Sequence, residues 1–328
     1  MALKYCFREK YTRAVRRKIK LGAMEKVLIT GASGLVGTRL TELLLAKGYD
    51  VNTVGRQTAD DRPEKNAVAQ FTWEIGSGMM DTKAFEGISA IIHLAGAGVA
   101  DRRWSDECKK EIIDSRVKSA KLIFDFLRNN KHEVKTFISA SAVGYYGDCG
   151  DELVTEERKA GKGFLAEVCK QWEQSAKQFS KLGIREVRCR IGIVLSKNGG
   201  ALPELTKTIP LGVASYFAKS NLYYPWIHVD DVCGIMIHAL ENESVNGAYN
   251  ATAPLPLPMK DLMKEILTAK KSKAVLVPAP PFAIKLALGE MSEMLLGSQR
   301  CSADKILSGG YQFKFGKIRN ALNDIFRK

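Results

Sequence analysis

The start of the chain alternates between short apolar runs and a segment with helical spacing. Lys26–Thr30 is a run of aliphatic and β-branched residues, which is typical of a buried parallel strand. After a glycine-rich turn, leucines return at helical spacing until Gly48, a residue type that often ends a helix. A second apolar run, Asp50–Val54, follows directly. This order predicts a strand, a tight turn, a helix and a second strand within about 30 residues.

The same rhythm continues through the first two thirds of the chain. Further strands are predicted at Ala90–Leu94, Lys135–Ser139 and Arg185–Arg190, each followed by small or glycine-containing segments. Strands that alternate with helices indicate an α/β fold with a doubly wound parallel sheet. Ligands of such sheets bind outside the carboxyl ends of the strands, so the segments that follow the strands are the candidate site.

The turn after the first strand carries three glycines with distinct expected roles. Gly31 permits a tight turn, Gly34 lets the backbone approach a pyrophosphate, and Gly37 lets the helix lie close to the strand. Amides at the start of the helix then face the phosphates. The turn and helix start therefore predict a Rossmann-type dinucleotide site, formed by Gly31, Ser33, Gly34, Leu35, Val36 and Gly37.

The end of the second predicted strand indicates which dinucleotide binds. Enzymes that use NAD usually place Asp or Glu there to bind the ribose hydroxyls. Here the strand ends with Arg56, whose guanidinium suits a 2′-phosphate. The sequence thus favours NADP over NAD, with a solvated loop charge as the alternative interpretation of Arg56. At the end of the third strand, Leu94, Ala95 and Gly96 complete the predicted cofactor site, and the preceding His93 is expected to be structural.

Composition excludes several classes of protein. The 328 residues are 45% hydrophobic and 26% charged, which is unlike a disordered, collagen-like or coiled-coil chain. No stretch approaches the roughly 18–20 apolar residues of a membrane-spanning helix, so no transmembrane segment is expected. Seven scattered cysteines and four histidines predict no metal site and no disulfide scaffold. A reducing, cytoplasmic location is expected.

The positive charge is concentrated at the amino terminus. Residues 1–23 hold eight basic residues and one acidic residue, which is half of the formal net charge of +14. Three interpretations of this basic leader remain open: an appended arm before Met24, an amphipathic segment that touches an anionic surface, or a targeting peptide. No pairing of aromatic and basic residues accompanies it, so nucleic-acid binding is not expected.

Several ordered blocks resemble one protein family. The blocks include Thr30–Gly37, Asp114–Val117, Ser139–Asp148, Gly163–Glu173, Pro225–Asp231 and Gly289–Arg300. They resemble the extended, epimerase/dehydratase-like branch of the short-chain dehydrogenase/reductase superfamily, and within it the atypical epimerase-family proteins. The resemblance implies a Rossmann core, NADP(H) binding and a small C-terminal substrate domain.

The expected division of the chain follows from this resemblance and from the weaker strand–helix rhythm after residue 196. We expect a basic leader at 1–23 and an NADP-binding core at 24–196, completed by parts of 222–252. Residues 197–221 and 253–328 are expected to bind the substrate.

The chain departs from the wider superfamily at its proton relay. Typical members carry Tyr-x-x-x-Lys on the helix after the fifth strand, and none of the ten tyrosines here has Lys four residues later. Alignment on Glu173 places Leu165 and Cys169 at those positions. Tyr145 and Tyr146 are therefore candidate catalytic residues, since they follow the predicted strand Lys135–Ser139 at the correct end of the sheet. Ser141 is the third candidate, because its position resembles that of the superfamily's catalytic serine.

The substrate remains unidentified at this stage. Arg103, Trp104, Arg116 and Arg300 are candidates for binding an anionic substrate, and structural pairing is the alternative. We expect an oxidoreductase or epimerase-like enzyme that acts on a small molecule. The competing hypothesis is a non-catalytic NADP(H) sensor, and a homo-oligomer is compatible with either.

Overall fold

The computed structural model describes residues 25–56, 68–217 and 222–327, so the basic leader and its three interpretations lie outside the described residues. The strands are β1 (Lys26–Thr30), β2 (Asp50–Gly55), β3 (Val68–Glu74), β4 (Met79–Met80), β5 (Ile88–His93), β6 (Thr136–Ala142), β7 (Leu153–Val154), β8 (Arg185–Ile191), β9 (Ile193–Ser196), β10 (Gly199–Gly200), β11 (Val213–Phe217), β12 (Tyr223–Tyr224), β13 (Trp226–His228), β14 (Gly247–Ala251), β15 (Leu257–Pro258), β16 (Val275–Ala279) and β17 (Arg300–Cys301). The helices are α1 (Leu35–Lys47), α2 (Asp106–Asn129), α3 (Phe164–Lys177), α4 (Leu202–Thr206), α5 (Val229–Glu241), α6 (Met259–Ala269), α7 (Pro281–Leu288), α8 (Glu293–Leu296), α9 (Asp304–Ser308) and α10 (Ile318–Ile325).

The main sheet has eight strands in the order β14-β8-β6-β5-β1-β2-β3-β4. All neighbours pair in parallel except β3 and β4. This sheet confirms the predicted doubly wound α/β fold. Its edge strand β14 lies within residues 222–252, the segment expected to complete the core.

Helices cover both faces of the sheet, and the alternation of side chains along β1 shows how. Val27 and Ile29 pack with α1 and α5 on one face, whereas Leu28 packs with α2 on the other. All three side chains are fully buried. A strand that is buried on both faces has no polar side to expose, which explains the uninterrupted apolar run in the sequence.

The strand order places a crevice at the carboxyl end of β1. Within the sheet, β1 has β2 as one neighbour and β5 as the other, and the chain leaves β1 in the direction of β2. Loops that diverge from two adjacent parallel strands leave a gap between them, where ligands of such sheets bind. The glycine-rich turn after β1 and the Leu94–Gly96 segment after β5 both lie at this point.

The C-terminal part of the chain has an apolar core of its own. Residues of α6 and α10 pack with β9, β11 and the aromatic residues Tyr224 and Trp226. Trp226 is almost fully buried and its indole nitrogen donates to the Leu255 carbonyl, so it is a core residue here. None of the helices among the described residues is long and apolar enough to cross a membrane.

A buried carboxylate joins this C-terminal part to the main sheet. Asp231, in the first turn of α5, accepts hydrogen bonds from the Tyr311 hydroxyl at 2.9 Å and from the Lys314 and Phe315 amides at 2.7 and 2.9 Å. Its neighbour Asp230 binds Arg39 of α1 through two hydrogen bonds. The two aspartates thus tie the start of α5 to segments far away in the chain.

His93 closes the carboxyl end of β5 and is fully buried. Its Nδ1 lies 2.8 Å from the Thr30 hydroxyl, and its Nε2 lies 3.2 Å from the Ser119 hydroxyl. Both ring nitrogens therefore have partners, as expected for a structural histidine. Burial lowers the pKa of His93 to about 4.

We predict that replacing Asp231 with Ala lowers the free energy of unfolding by about 3 kcal/mol, because one buried and two partly buried donors lose their acceptor. Asp261→Ala is the control, since Asp261 forms only an exposed ion pair with Lys264 in the same helix and is worth under about 1 kcal/mol. Urea denaturation measures both variants. Equal stability of the two variants would show that the Asp231 contacts contribute little.

We predict that His93 makes stability depend on pH. Its folded pKa of about 4 lies below the value of about 6.5 of an unfolded histidine, so the unfolded state binds the proton first as pH falls. The contribution of His93 is present above about pH 6.5 and is lost progressively towards pH 4. Between pH 7 and pH 5 the loss is about 2 kcal/mol.

Urea titrations at both pH values compare the wild type with His93→Gln, which should lose this part of the pH dependence. His132→Gln, which lies outside the sheet, serves as the control. An unchanged pH dependence in His93→Gln would contradict the assignment.

Candidate functional site

The glycine-rich turn is held tightly between two strand ends. Gly31 has a φ of +70°, and a Cβ placed on it would lie 2.8 Å from the Leu94 carbonyl carbon. A Cβ on Gly37 would lie 2.3 Å from the Gly31 carbonyl oxygen. Side chains at either position would therefore force the turn, α1 and the β5 end apart.

Gly34 differs from these two glycines because the protein leaves space beside it. A Cβ there would meet only the Gly31 carbonyl oxygen, at 3.4 Å, which is an ordinary contact. Gly34 is the N-cap of α1 and provides no side-chain acceptor for the helix amides. Among the described residues, no hydrogen-bond acceptor is recorded for the Leu35 and Val36 amides.

The start of α3 provides a useful contrast. There the Glu293 carboxylate of α8 accepts hydrogen bonds from the Phe164 amide at 3.2 Å and the Leu165 amide at 3.3 Å. One helix of the crevice is thus capped by an anion from the protein itself, whereas α1 presents its first amides without such a partner. The positive end of a helix dipole and free amides together suit an external phosphate.

Arg56 follows β2 and lies on a broad cleft of about 1370 Å³. The cleft is also lined by the end of β3 and by one face of α2, including Ser115 and Lys118. Lys118 pairs with Asp114, whereas Arg56 is exposed and has no ion pair among the described residues. Within the described residues, the cleft therefore offers a guanidinium without an ion pair at the end of β2, where the sequence predicts it.

The Leu94–Gly96 segment is fixed by Thr30 and α2. The Thr30 hydroxyl accepts hydrogen bonds from the Leu94 and Ala95 amides, both at 3.2 Å. Two residues further along, the Ala97 amide donates to the Ser115 hydroxyl at 2.9 Å. A Cβ on Gly96 would lie 2.9 Å from the Arg116 guanidinium carbon, so a side chain there would have to displace Arg116. Backbone at this position is thus rigid and close to the crevice.

A groove of about 420 Å³ runs past the same turn on its other side. It is lined by Ser33, Gly34 and Leu35 together with Lys197 and Asn198, which follow β9. The sequence analysis did not connect the segment Lys197–Gly200 with the glycine-rich turn. Nothing in the local pattern shows this contact, because 160 residues separate the two turns.

Two of the three candidate catalytic residues belong to one buried polar network. Ser141 donates to Glu173 at 2.9 Å, and Tyr146 donates to the Asn250 side chain at 2.6 Å. Arg190 binds both Glu173 carboxylate oxygens, at 2.7 and 3.0 Å, and donates to the Tyr146 hydroxyl at 2.9 Å. Ser141 and Tyr146 are 1–2% exposed, and burial raises the pKa of Tyr146 above its ordinary value.

Tyr145, the third candidate, is in a different environment. It is half-buried, and the Arg190 guanidinium lies 3.7 Å from the centre of its ring. Its hydroxyl has no hydrogen-bond partner among the described residues, in contrast to that of Tyr146. The catalytic roles of Ser141, Tyr145 and Tyr146 stay predictions, but only Tyr145 combines partial exposure with a free hydroxyl.

Leu165 and Cys169 lie where the alignment on Glu173 places them, on the face of α3 that meets the turn after β6. A Cβ on Gly144 would lie 3.2 Å from the Leu165 Cβ and 3.8 Å from the Cys169 sulfur. Cys169 is buried, and burial raises the pKa of its thiol to about 12. The thiol therefore stays protonated at neutral pH and is not a nucleophile.

A cavity of about 500 Å³ opens beside Leu165. One wall contains Gly144, in the turn after β6, and Lys162, just before α3. The other wall comes from α7, α8 and the residues next to them. Its lining is Gly144, Gly147, Asp148, Lys162, Leu165, Pro281, Lys285, Glu290, Ser292, Glu293, Leu296, Gly297 and Gln299. The C-terminal part thus contributes more than half of the lining of this cavity.

The four residues considered for an anionic substrate are not gathered in this cavity. Arg103 donates to the Ala287 carbonyl, and the Trp104 indole donates to the Val99 carbonyl. Arg300 lies 5.1 Å from the centre of the Tyr223 ring, and Arg116 lies 4.8 Å from that of Trp172. No cluster of three or more His, Cys, Asp or Glu residues in the described part of the chain could hold a metal ion.

Comparison with known proteins agrees with this geometry. Residues 27–170 match the NAD dependent epimerase/dehydratase family, and residues 279–325 match a domain of unknown function, DUF1731. Two relatives are each 32% identical: the chloroplastic epimerase family protein SDR39U1 homolog of Arabidopsis thaliana and an epimerase family protein of Staphylococcus saprophyticus. The matches cover 92% of this chain in both cases and 86% and 99% of the relatives.

A solved structure gives the same result for the fold. Human epimerase family protein SDR39U1, crystallised with NADPH, superposes with a TM-score of 0.79 at 27% identity. The superposition covers 92% of this chain and 98% of the human one. With the shared fold and relatives above 30% identity over most of their length, this chain belongs to the epimerase family of short-chain dehydrogenase/reductase proteins.

Proposed function

We propose that this protein binds NADP(H) in the crevice at the carboxyl ends of β1 and β5 and acts as an oxidoreductase or epimerase-like enzyme on a small molecule. The observation that carries the proposal is the start of α1, where Gly34 leaves space and the Leu35 and Val36 amides have no recorded acceptor. The human relative crystallised with NADPH has the same overall fold.

The residues of the crevice suit the successive parts of this dinucleotide. The Leu35 and Val36 amides would bind the pyrophosphate, and the exposed Arg56 would bind the 2′-phosphate at the adenosine end. The rigid backbone of Leu94–Gly96 would lie along the riboses. When bound, the nicotinamide ring supplies or accepts a hydride, and the protein orients the partners and moves the proton.

We propose that the substrate occupies the 500 Å³ cavity beside Leu165. This cavity lies between the core, 24–196 with parts of 222–252, and the region 253–328, which supports the proposed division of the chain. Small-molecule sites are commonly found at such boundaries. Leu165, at the position of the usual tyrosine, would contribute an apolar wall instead of a proton donor.

We propose Tyr145, which follows the cavity-lining Gly144 in the chain, as the proton donor. Its hydroxyl is free of partners among the described residues, whereas the Tyr146 hydroxyl is committed to Asn250 and Arg190. Ser141 is likewise committed to Glu173. A proton donor must reach the reacting group directly or through one water. The Tyr146 hydroxyl is buried and already has two hydrogen-bond partners, so it is poorly placed to do this.

The second candidate function is a non-catalytic NADP(H) sensor. The observation that favours it is the replacement of the usual Tyr and Lys by Leu165 and Cys169, which removes the proton relay without disturbing the fold. In that case the cofactor would set the position of the C-terminal part, which shares the cavity wall, and turnover would be absent.

We predict that Arg56→Ala weakens NADPH binding by about tenfold or more and leaves NADH binding unchanged, because only NADPH carries the phosphate that the guanidinium binds. Calorimetric titration of both dinucleotides measures this. Arg128→Ala is the matched control, since Arg128 is an exposed arginine near the end of α2. Equal affinities for NADPH and NADH that the substitution does not change would contradict the assignment.

We predict that Tyr145→Phe lowers kcat by about 10²-fold or more with NADPH affinity unchanged, because a general acid contributes about 10²–10⁴-fold. Turnover is measured with NADPH and a panel of carbonyl compounds and nucleotide sugars. Tyr146→Phe is the comparison variant, and it should instead lower the melting temperature, because Asn250 and Arg190 lose a buried partner.

Full activity of Tyr145→Phe would show that the donor lies elsewhere. Tight NADPH binding by the wild type without turnover on the panel would favour the sensor.

A further inference from the structure

The C-terminal part of the chain has an apolar surface that faces solvent. β11 and β16 pair in parallel, with Val213 beside Val275, and Val277 is the next residue on the same side of β16. All three valines are exposed, whereas Ala214, on the opposite side of the pair, is fully buried in the C-terminal core. One side of this small sheet therefore packs on the core, and the other presents branched apolar side chains to solvent.

The helix that follows β16 extends this surface. Only Pro280 separates the strand from α7, and Phe282 and Leu286 lie one turn apart on one face of the helix. They are 72 and 84% exposed, although Ile284 of the same helix is buried. Large apolar side chains that are exposed as a group indicate an interaction surface. We name this surface the outer face, and its members are Val213, Val275, Val277, Phe282 and Leu286.

Positive charge borders the outer face. Residues 266–289, which contain β16 and α7, include four lysines and no acidic residue. The four exposed lysines are Lys270, Lys271, Lys273 and Lys285. In the part of the chain that the structure describes, they form no ion pair. Glu265 and Glu290, the acidic residues on either side of this stretch, pair with other cations.

This charge decides which occupant suits the outer face. A second copy docked through the same face would bring two sets of lysines together. Residues 1–23, with eight basic residues and one acidic residue, would meet the same repulsion. A suitable occupant is therefore both apolar and anionic. An anionic lipid bilayer has both properties, since acyl chains accept apolar side chains and the headgroups attract lysine.

We propose that the outer face binds the surface of an anionic lipid bilayer, with Phe282 and Leu286 inserted among the lipids and the four lysines at the headgroups. α7 also lines the cavity, through Pro281 and Lys285, so this contact would place the cavity beside the bilayer. The proposal does not require NADP(H) in the crevice, and its test is therefore independent of the proposed function.

Vesicle flotation of the full chain without dinucleotide tests the proposal. Vesicles of phosphatidylcholine alone are compared with vesicles that also contain phosphatidylserine, and we expect the wild type to bind only the second kind. Phe282→Ser combined with Leu286→Ser should weaken this binding by about tenfold or more, because two inserted apolar side chains are lost. Met79→Ser combined with Leu153→Ser is the matched control, since both residues are exposed and apolar but lie outside the outer face. The control should bind like the wild type.

A fluorescence measurement separates the outer face from residues 1–23, which are unchanged in every variant. Phe282→Trp adds an indole whose emission should be quenched by anionic vesicles that contain brominated lipid, whereas the indole of Leu153→Trp should not be quenched. The emission of the wild type, which has four tryptophans, is subtracted.

No binding of the wild type to anionic vesicles would overturn the proposal. Binding that the serine substitutions leave unchanged, without quenching of Phe282→Trp, would also overturn it and would assign the lipid contact to another part of the chain. A wild-type dimer that Phe282→Ser with Leu286→Ser converts to a monomer in analytical ultracentrifugation would assign the outer face to a second copy instead. The melting temperature should be the same for all variants, because every substituted side chain is exposed.

Discussion

The site depends on the close approach of three backbone segments at Gly31. The end of β1, the first turn of α1 and the end of β5 pack so tightly that side chains on Gly31 or Gly37 would overlap with main-chain atoms. Thr30 adds hydrogen bonds to the amides that follow β5. This packing fixes the direction of α1, and therefore the direction in which its unpartnered amides point. The ability to bind an anion follows from the geometry of the backbone and not from any charged side chain in the turn.

Local pattern was enough to predict this part of the molecule. The apolar run Lys26–Thr30, the glycine spacing and the leucines of α1 are neighbours in sequence. Each of them indicates the local structure of its own short stretch of chain. The doubly wound sheet followed from the same kind of signal repeated along the chain. The position of Arg56 at the end of β2 was likewise a local inference, because Arg56 comes just after the apolar run that predicts this strand.

The rest of the site could not be predicted because its contacts join distant segments. Ser141 was a candidate for catalysis, but its hydroxyl binds Glu173, and Tyr146 binds Asn250, more than 100 residues away. The carboxylates of Asp230 and Asp231 lie in the first turn of α5, where acidic residues are common, yet their main partners lie on α1 and in residues 311–315. Glu293 caps α3 from the C-terminal part. Periodicity in sequence carries no information about such pairs.

The anchoring of residues 311–315 on Asp231 has a consequence for how the molecule could be divided. These residues follow the helices that line the cavity. They nevertheless donate hydrogen bonds to Asp231 at the start of α5, which packs against the main sheet. A fragment cut after β14 would retain every strand of the main sheet but would expose an aspartate that has lost its donors. The start of α5 therefore depends on residues 311–315 for these hydrogen bonds, and we expect such a fragment to be less stable than the whole chain.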